Sequence, residues 1–159
     1  MTDFKSPVRS RGDIEIIKQW RNGEIEVLEE RNTILLTGKR ALSKSLANAF
    51  DGEYKFYITR MVFGDDGTQD GVKKFVNANR DGLFGVTRLS KPVIATVDTN
   101  VPAQAIFTSV IKFDEGVGLT LSEMALQMAD GDLFSMVTFP DLNKTEDMQI
   151  TFNWRLNFV

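Results

Sequence analysis

The chain has 159 residues and a formal net charge of −3, with 42% hydrophobic and 26% charged residues. This composition predicts one soluble globular domain and argues against disorder, and the acidic balance argues against a nucleic-acid partner. No apolar run approaches the roughly 20 residues that span a bilayer, so we expect no membrane partner. Residues 1–5 lack the apolar stretch of a signal peptide, so we expect the chain to remain where it is made.

The chain contains neither cysteine nor histidine. Thiol nucleophiles, Cys–His and Ser–His–Asp catalysis, imidazole bases and the usual zinc sites are therefore excluded. No disulfide can support the fold, so its stability must come from packing or from association. An enzyme would have to use carboxylate pairs, Lys, Tyr or a hard cation held by oxygen atoms. We expect no enzyme and no cofactor.

Residues 1–13 are mostly polar and contain the apolar side chains of Phe4 and Val8 within a stretch of Pro, Ser, Gly and mixed charges. We predict an extended N-terminal arm here, which is either a disordered tail or a segment that orders against a neighbour. The remaining residues, 14–159, are predicted to form a single β-sandwich domain. The domain begins with a hairpin, because residues 14–20 and 24–31 flank Asn-Gly, which favours a type I′ turn with positive φ at both central positions.

One amphipathic helix is predicted over residues 40–50. Its apolar side chains recur at intervals of three and four residues, and Asp51-Gly52 follows as a stop signal. The apolar positions are Ala41, Leu42, Leu46, Ala47 and Phe50. We expect this helix to close one end of a β core.

A strand with a bulge is predicted over residues 54–64, because the alternation of apolar and polar residues slips near Thr59 and Arg60. Residues 64–89 are rich in turn-forming residues, and a single helical turn is predicted at 72–76. A loop of this length in a small domain is usually functional or ordered by a partner.

The C-terminal half predicts a series of strands. Apolar and polar residues alternate without a break from 148 to 158, which indicates a long strand with one buried face. On its polar side, Asn153, Arg155 and Asn157 can form lateral hydrogen bonds. The preceding strands are predicted at residues 92–97, 104–113 (apolar on both sides, and so covered on both faces), 119–128 and 133–139, with a polar connection at 140–147. The fold class is all-β, an antiparallel β-sandwich or jelly roll with one short helix.

Two groups of acidic residues are candidates for a reactive site. Asp65, Asp66 and Asp70 lie in a Gly-rich loop and could supply oxygen ligands to calcium, but Asp and Gly also form turns and the spacing does not fit an EF-hand. Glu115 and Glu123 could act as the carboxylate pair of a glycoside hydrolase, but such residues next to strands are usually solvated. We expect no metal ion at the first group and no catalysis at the second.

A carbohydrate-binding, lectin-like module is an alternative function for the same fold. It would need an exposed aromatic surface on which sugars stack, built from Trp20, Tyr54, Tyr57 or Trp154. Trp154 lies on the apolar side of the last strand, so we expect it in the core.

Four segments of the chain form a recognisable series: Asn-Thr-Ile-Leu-Leu-Thr-Gly-Lys-Arg-Ala-Leu (32–42), Ile-Thr-Arg-Met-Val-Phe-Gly-Asp-Asp-Gly-Thr (58–68), Met-Val-Thr-Phe-Pro-Asp-Leu-Asn-Lys-Thr (136–145) and Ile-Thr-Phe-Asn-Trp-Arg-Leu-Asn-Phe (150–158). Through these segments the chain, from residue 32 to the C-terminus, resembles small virion structural proteins of tailed bacteriophages. Residues 122–126 depart from the family pattern, which has Gly-Leu-Phe after the Glu.

The resemblance implies a β-sandwich that is made in the host cytoplasm and assembles into the virion, often as a trimer. Its partners would be other virion proteins: the major capsid protein for a decoration or cement protein, or tail proteins for a tail, baseplate or fibre-associated protein. Apolar and guanidinium side chains within otherwise polar, irregular chain are the expected contacts, since a partner would explain their positions. These residues are Phe4, Arg9, Arg11, Phe75, Leu83 and Phe84.

Overall fold

The computed structural model describes residues 10–49, 52–53, 55–97, 100 and 103–158, with the side chains of residues 10 and 11 left aside. Twelve β-strands and one α-helix lie within these residues. In chain order they are β1 (Ser10–Trp20), β2 (Ile25–Arg31), β3 (Thr33–Ile34), α1 (Leu36–Leu46), β4 (Ile58–Gly64), β5 (Thr68–Gln69), β6 (Val72–Lys73), β7 (Leu89–Pro92), β8 (Ile94–Val97), β9 (Gln104–Ile111), β10 (Thr120–Met128), β11 (Leu133–Asn143) and β12 (Met148–Phe158).

The strands form two antiparallel five-stranded sheets, so the predicted all-β class is confirmed. Sheet A has the order β2-β1-β12-β9-β8, and sheet B has the order β3-β11-β10-β4-β7. The two short strands β5 and β6 form a separate hairpin. Strands early in the chain pair with strands late in it, β1 with β12, β3 with β11 and β4 with β10.

The main hydrophobic core contains side chains of both sheets. Buried and half-buried residues alternate along β12, as its sequence predicts. Trp154 is completely buried, which confirms its assignment to the core. Phe152 of the same strand lies against Phe63 of sheet B, with 4.8 Å between the ring centroids. The C-terminal strand is therefore a central element of the core, and it lies between β1 and β9 within sheet A.

The first hairpin is present, but its turn and its start differ from the prediction. Gly23 has φ of +92° while Asn22 is not in the positive-φ region, and the Gly23 N–H donates to the Trp20 carbonyl at 3.0 Å. Residues 21–24 connect the two strands, and with positive φ at Gly23 but not at Asn22 the turn is not type I′. Residues 10–13, assigned by sequence to the arm, pair with the end of β12, whose backbone supplies their partners. Residues 1–9 of the predicted arm lie outside the described residues.

The helix begins and ends four residues earlier than predicted. Glycine ordinarily disfavours a helix interior, yet Gly38 lies inside α1. The helix packs so closely on β11 there that any side chain would collide with the Phe134 backbone. Asn48 adopts φ of +51°, a left-handed conformation that is frequent just after helix ends. The predicted helical residue Phe50 lies outside the described residues. Ala41 joins the main core, so the helix packs one face against the sheets.

The predicted bulge near Thr59 is confirmed, because the register of β4 against β10 shifts there by one residue. The strand itself starts at Ile58 rather than at residue 54. The predicted helical turn at 72–76 is wrong. Its first two residues form β6, which pairs with β5 across a turn that contains Asp70 and Gly71, both with positive φ.

Two later predictions also needed correction. The strand β9 is buried on one face only, because its other face belongs to the polar outer surface of sheet A, where Thr108 donates to Asn153 at 2.9 Å. The strand β11 continues to Asn143, beyond the predicted end at residue 139. Pro140 is accommodated because the β10–β11 register shifts beside it, so its missing N–H interrupts no ladder bond.

The only helix in the described residues has 11 residues and is neither long nor apolar enough to cross a membrane.

Candidate functional site

The long segment between β4 and β7 folds back onto sheet B; we call residues 64–88 the loop platform. It covers the face of sheet B that points away from the main core. Along the middle of sheet B, neighbouring residues belong to different clusters, Phe63 to the main core and Val62 to a second one. The second cluster contains Leu35, Val62, Val76, Ala125, Leu133 and Met136, with Leu83 and Phe84 packed against it. The loop is therefore ordered by its own chain.

A buried carboxylate anchors the loop platform. Glu123 lies on β10 and is fully buried. One carboxylate oxygen accepts the Phe84 N–H at 3.2 Å, and the other accepts the Gly85 N–H at 3.0 Å. Burial raises the pKa of Glu123 and nearby Asp66 adds to the rise, although the two backbone hydrogen bonds and Arg80 oppose it. Glu123 holds two loop amides that would otherwise lack partners beneath the loop.

Glycines allow the loop backbone to approach sheet B closely. A Cβ on Gly67 would collide with the carbonyl oxygen of Ser122, and a Cβ on Gly64 would collide with the Glu123 carboxylate. The Gly67 N–H instead donates to the Ser122 hydroxyl at 2.8 Å. On the next strand, the Thr138 hydroxyl donates to the Lys74 carbonyl at 2.8 Å. The platform is thus bonded to both β10 and β11.

Phe84 is enclosed by two cations. The Arg80 guanidinium lies 3.7 Å from the centroid of its ring and the Lys74 ammonium lies 5.1 Å away. Such cation–π contacts, together with packing on the second cluster, hold the ring in place. Lys74 also pairs with Asp66 at 2.8 Å. The position of Phe84 is fixed on several sides.

Two acidic residues of the loop are paired with cations. Asp65 lies 2.9 Å from Arg88, and Asp66 pairs with Lys74. Asp70 is an exposed turn residue with φ of +52°. Within the residues described, no three acidic side chains are grouped so that they could hold a metal ion. The loop aspartates contribute to turns and ion pairs.

Apolar side chains are exposed on this rigid base. Phe75 is 86% exposed, Val72 68% and Val86 60%. Phe75 lies next to Val76, which is 7% exposed and belongs to the second cluster. A large aromatic side chain next to such an anchored residue has lost backbone freedom before any partner binds, which reduces the entropic cost of binding.

Of the predicted contact residues, Phe75 is exposed on the loop platform. Leu83 and Phe84 are half-buried against the second cluster, so packing within the chain already explains their positions. Arg11 lies in β1, where only its backbone is described, and Phe4 and Arg9 lie outside the described residues. The sequence did not reveal the role of Glu123 as an anchor. The glycines at positions 64 and 67 were the one feature of the sequence that indicated close packing of the loop backbone on this strand.

The two carboxylates considered for glycoside hydrolysis lie in different parts of the structure. Glu115 lies in the β9–β10 connection, where it bonds Lys91 and the Lys112 N–H, and these bonds lower its pKa. Glu123 is enclosed beneath the loop platform. The structure therefore assigns each carboxylate its own intramolecular partners.

For sugar stacking, Trp154 is buried and Trp20 is half-buried against the main core. Tyr57 is 54% exposed, and Tyr54 lies outside the described residues. Of the three that are described, Tyr57 alone is exposed, so Trp20 and Trp154 do not join it in one exposed surface.

Comparison with known proteins found no matching family model, no similar curated protein and no similar solved structure.

Proposed function

We propose that the chain is a structural protein of a tailed-phage virion, in the first instance a decoration or cement protein that binds the capsid shell. The proposal is supported by the resemblance of residues 32–158 and by the loop platform, whose exposed Phe75 carries the argument. A preformed surface lowers the entropic cost of binding a partner. The platform carries exposed apolar groups on backbone that is held by hydrogen bonds, ion pairs and a second hydrophobic cluster.

The finer architecture belongs to this proposal. We infer that the two sheets form a β-sandwich related to the jelly roll. Two observations support it: the main core draws on both sheets, and the strands pair in a nested order in which β1 joins β12, β4 joins β10 and β8 joins β9. Nested antiparallel pairing of early with late strands is typical of jelly rolls.

The partner surface can be tested by substitution of Phe75. We expect Phe75→Asp to weaken binding to purified particles of the phage that carries the gene by at least about tenfold, because a central aromatic contact contributes about 2 kcal/mol or more. Binding would be measured by co-sedimentation with particles depleted of the protein. The matched control is Leu46→Asp, since Leu46 is 90% exposed on α1 and lies outside the platform.

Equal binding by both variants and by the wild type would remove the loop platform from the proposal. Electron microscopy of particles that carry the labelled protein distinguishes the capsid location from a tail, baseplate or fibre location. Absence of the chain from purified particles would overturn the virion proposal as a whole.

A further inference from the structure

The two sheets have four edges, and three of them carry features that prevent pairing with another strand. The edge strand β2 contains three glutamates, β3 is two residues long, and β7 contains Lys91 and Pro92. Charge, shortness and proline are the usual means by which proteins protect sheet edges. The edge strand β8, with the sequence Ile-Ala-Thr-Val, has none of these features apart from its modest length of four residues.

The strand β8 is also exposed on both of its faces. All four of its residues are exposed, and Ile94 and Val97 are each 72% exposed. Val97 pairs with Ala105 and Ala95 pairs with Phe107, so both share the side of sheet A that faces the main core. Their exposure shows that sheet B does not cover this margin. Among the described residues, no strand lies on the far side of β8.

We propose that β8 pairs antiparallel with β8 of a second copy of this chain, which joins two A sheets into one ten-stranded sheet. A two-fold interface must be self-complementary, and a short, uncharged, β-branched strand meets this condition without like-charge repulsion. A charged partner strand would find no complementary group on β8. The inference does not depend on the virion proposal.

The geometry restricts the register of this pairing. The two-fold axis must be perpendicular to the sheet, so the corresponding faces of the two copies lie on the same side. Residues that are directly opposite must then have sequence numbers of the same parity. An axis through Ile94 or Val97 would leave only one β8 residue of each copy paired with β8 of the other. The axis that pairs three residues passes either through Ala95, which sets Ile94 opposite Thr96 of the second copy, or through Thr96, which sets Ala95 opposite Val97.

The interface is small. Three paired residues on each copy bury far less than the roughly 1,600 Å² of a standard stable complex, so the isolated chain should associate weakly and reversibly. Association should strengthen wherever many copies are held close together, because the effective concentration then rises.

Single cysteines test the pairing directly, because the chain has no cysteine of its own. We expect Ala95→Cys or Thr96→Cys to form a disulfide-linked dimer under mild oxidation, since residues opposite each other on the axis bring their Cβ atoms to about 5 Å. Val27→Cys is the matched control, because Val27 is 51% exposed on the protected edge strand β2. Cross-linking at neither β8 position, or equally fast cross-linking at Val27, would overturn the inference.

Sedimentation velocity over a concentration series provides a second readout. We expect a monomer–dimer equilibrium in the wild type, loss of the dimer in Thr96→Lys and retention of the dimer in Val27→Lys. A wild type that stays monomeric at every concentration would overturn the inference, as would a trimer that Thr96→Lys leaves unchanged. Either result would leave the virion proposal intact, which rests on particle binding.

Discussion

At the scale of single residues, buried charged groups hold irregular segments of the chain in place. Glu123 accepts two loop amides, and Lys144, which is 1% exposed, donates to the carbonyls of Phe113 and Thr145 at 3.1 and 2.7 Å. Burial lowers the pKa of Lys144, as it raises that of Glu123. In both cases an ionisable side chain satisfies backbone groups that the loops leave without strand partners.

The raised pKa of Glu123 predicts a specific pH dependence. The folded chain holds this proton more tightly than the unfolded chain, whose carboxyl has a pKa of 4.5. The stabilisation by this proton is fully present below pH 4.5 and is lost as the pH rises through the folded-state pKa. The free energy of unfolding of the wild type, relative to Glu123→Gln, should therefore fall between pH 4.5 and neutral pH, as measured by urea denaturation.

Glu115→Gln is the control with the opposite sign. The pKa of Glu115 is lowered from 4.5, so its carboxylate stabilises the fold above that pH and the contribution is lost on acidification. The wild type should therefore lose stability relative to Glu115→Gln as the pH falls below 4.5.

A difference between wild type and Glu123→Gln that stays constant from acid to neutral pH would contradict the role assigned to Glu123.

These roles were not predictable from the sequence. The pattern around Glu123 identifies a strand, but a polar residue on a strand is expected at the solvent. Whether a loop whose amides lie 39 and 38 residues earlier in the chain returns to cover that face depends on tertiary contacts. Trp154 was predictable, because its burial follows from the two-residue period of its own strand.

At the scale of elements, the loop platform depends on close backbone packing at Gly67. We expect Gly67→Ala to destabilise the platform by roughly 1–3 kcal/mol, because the added methyl group must displace the backbone of Ser122. The lower stability of the platform should appear as faster hydrogen exchange in residues 66–86 and as weaker binding to particles. Gly82→Ala, in the same loop, is the matched control, since a Cβ there meets no atom within 4 Å. Similar exchange in both variants would show that the contact at Gly67 does not hold the platform.

A strand or helix was predictable from the sequence where the spacing of its own apolar residues decides its structure. The long strand β12 and the bulge in β4 follow from alternation and its interruption. The start of α1 and the strand β6 do not follow from local spacing, because each depends on packing or pairing with another segment of the chain. Gly38 lies in the helix at a position where an added Cβ would collide with the Phe134 backbone, and residues 72–73 are extended because they pair with β5. Tertiary contacts override local preference at both places.

At the scale of the whole molecule, the fold is one large core with a smaller one attached. Within the described residues, the main core contains 21 buried hydrophobic side chains and the second cluster contains six, so the two should differ in resistance to opening. The antiparallel class followed from the sequence, because strand patterns and turn signals recur along the chain. The order of strands within each sheet did not, since pairing partners such as β1 and β12 lie at opposite ends of the chain.

Native-state hydrogen exchange should resolve these two units. We expect amides of the loop platform to exchange through a local opening, at a lower free energy than amides of β1 and β12, which exchange by global unfolding. The reason is that opening the platform exposes only the six-residue cluster and breaks the bonds at Glu123 and Gly67. Glu123→Gln should lower the opening free energy of the platform and leave the slowest β12 amides unchanged. Identical protection of the platform and β12 would show that the molecule opens as one unit, and that the exposed Phe75 is supported by the whole fold.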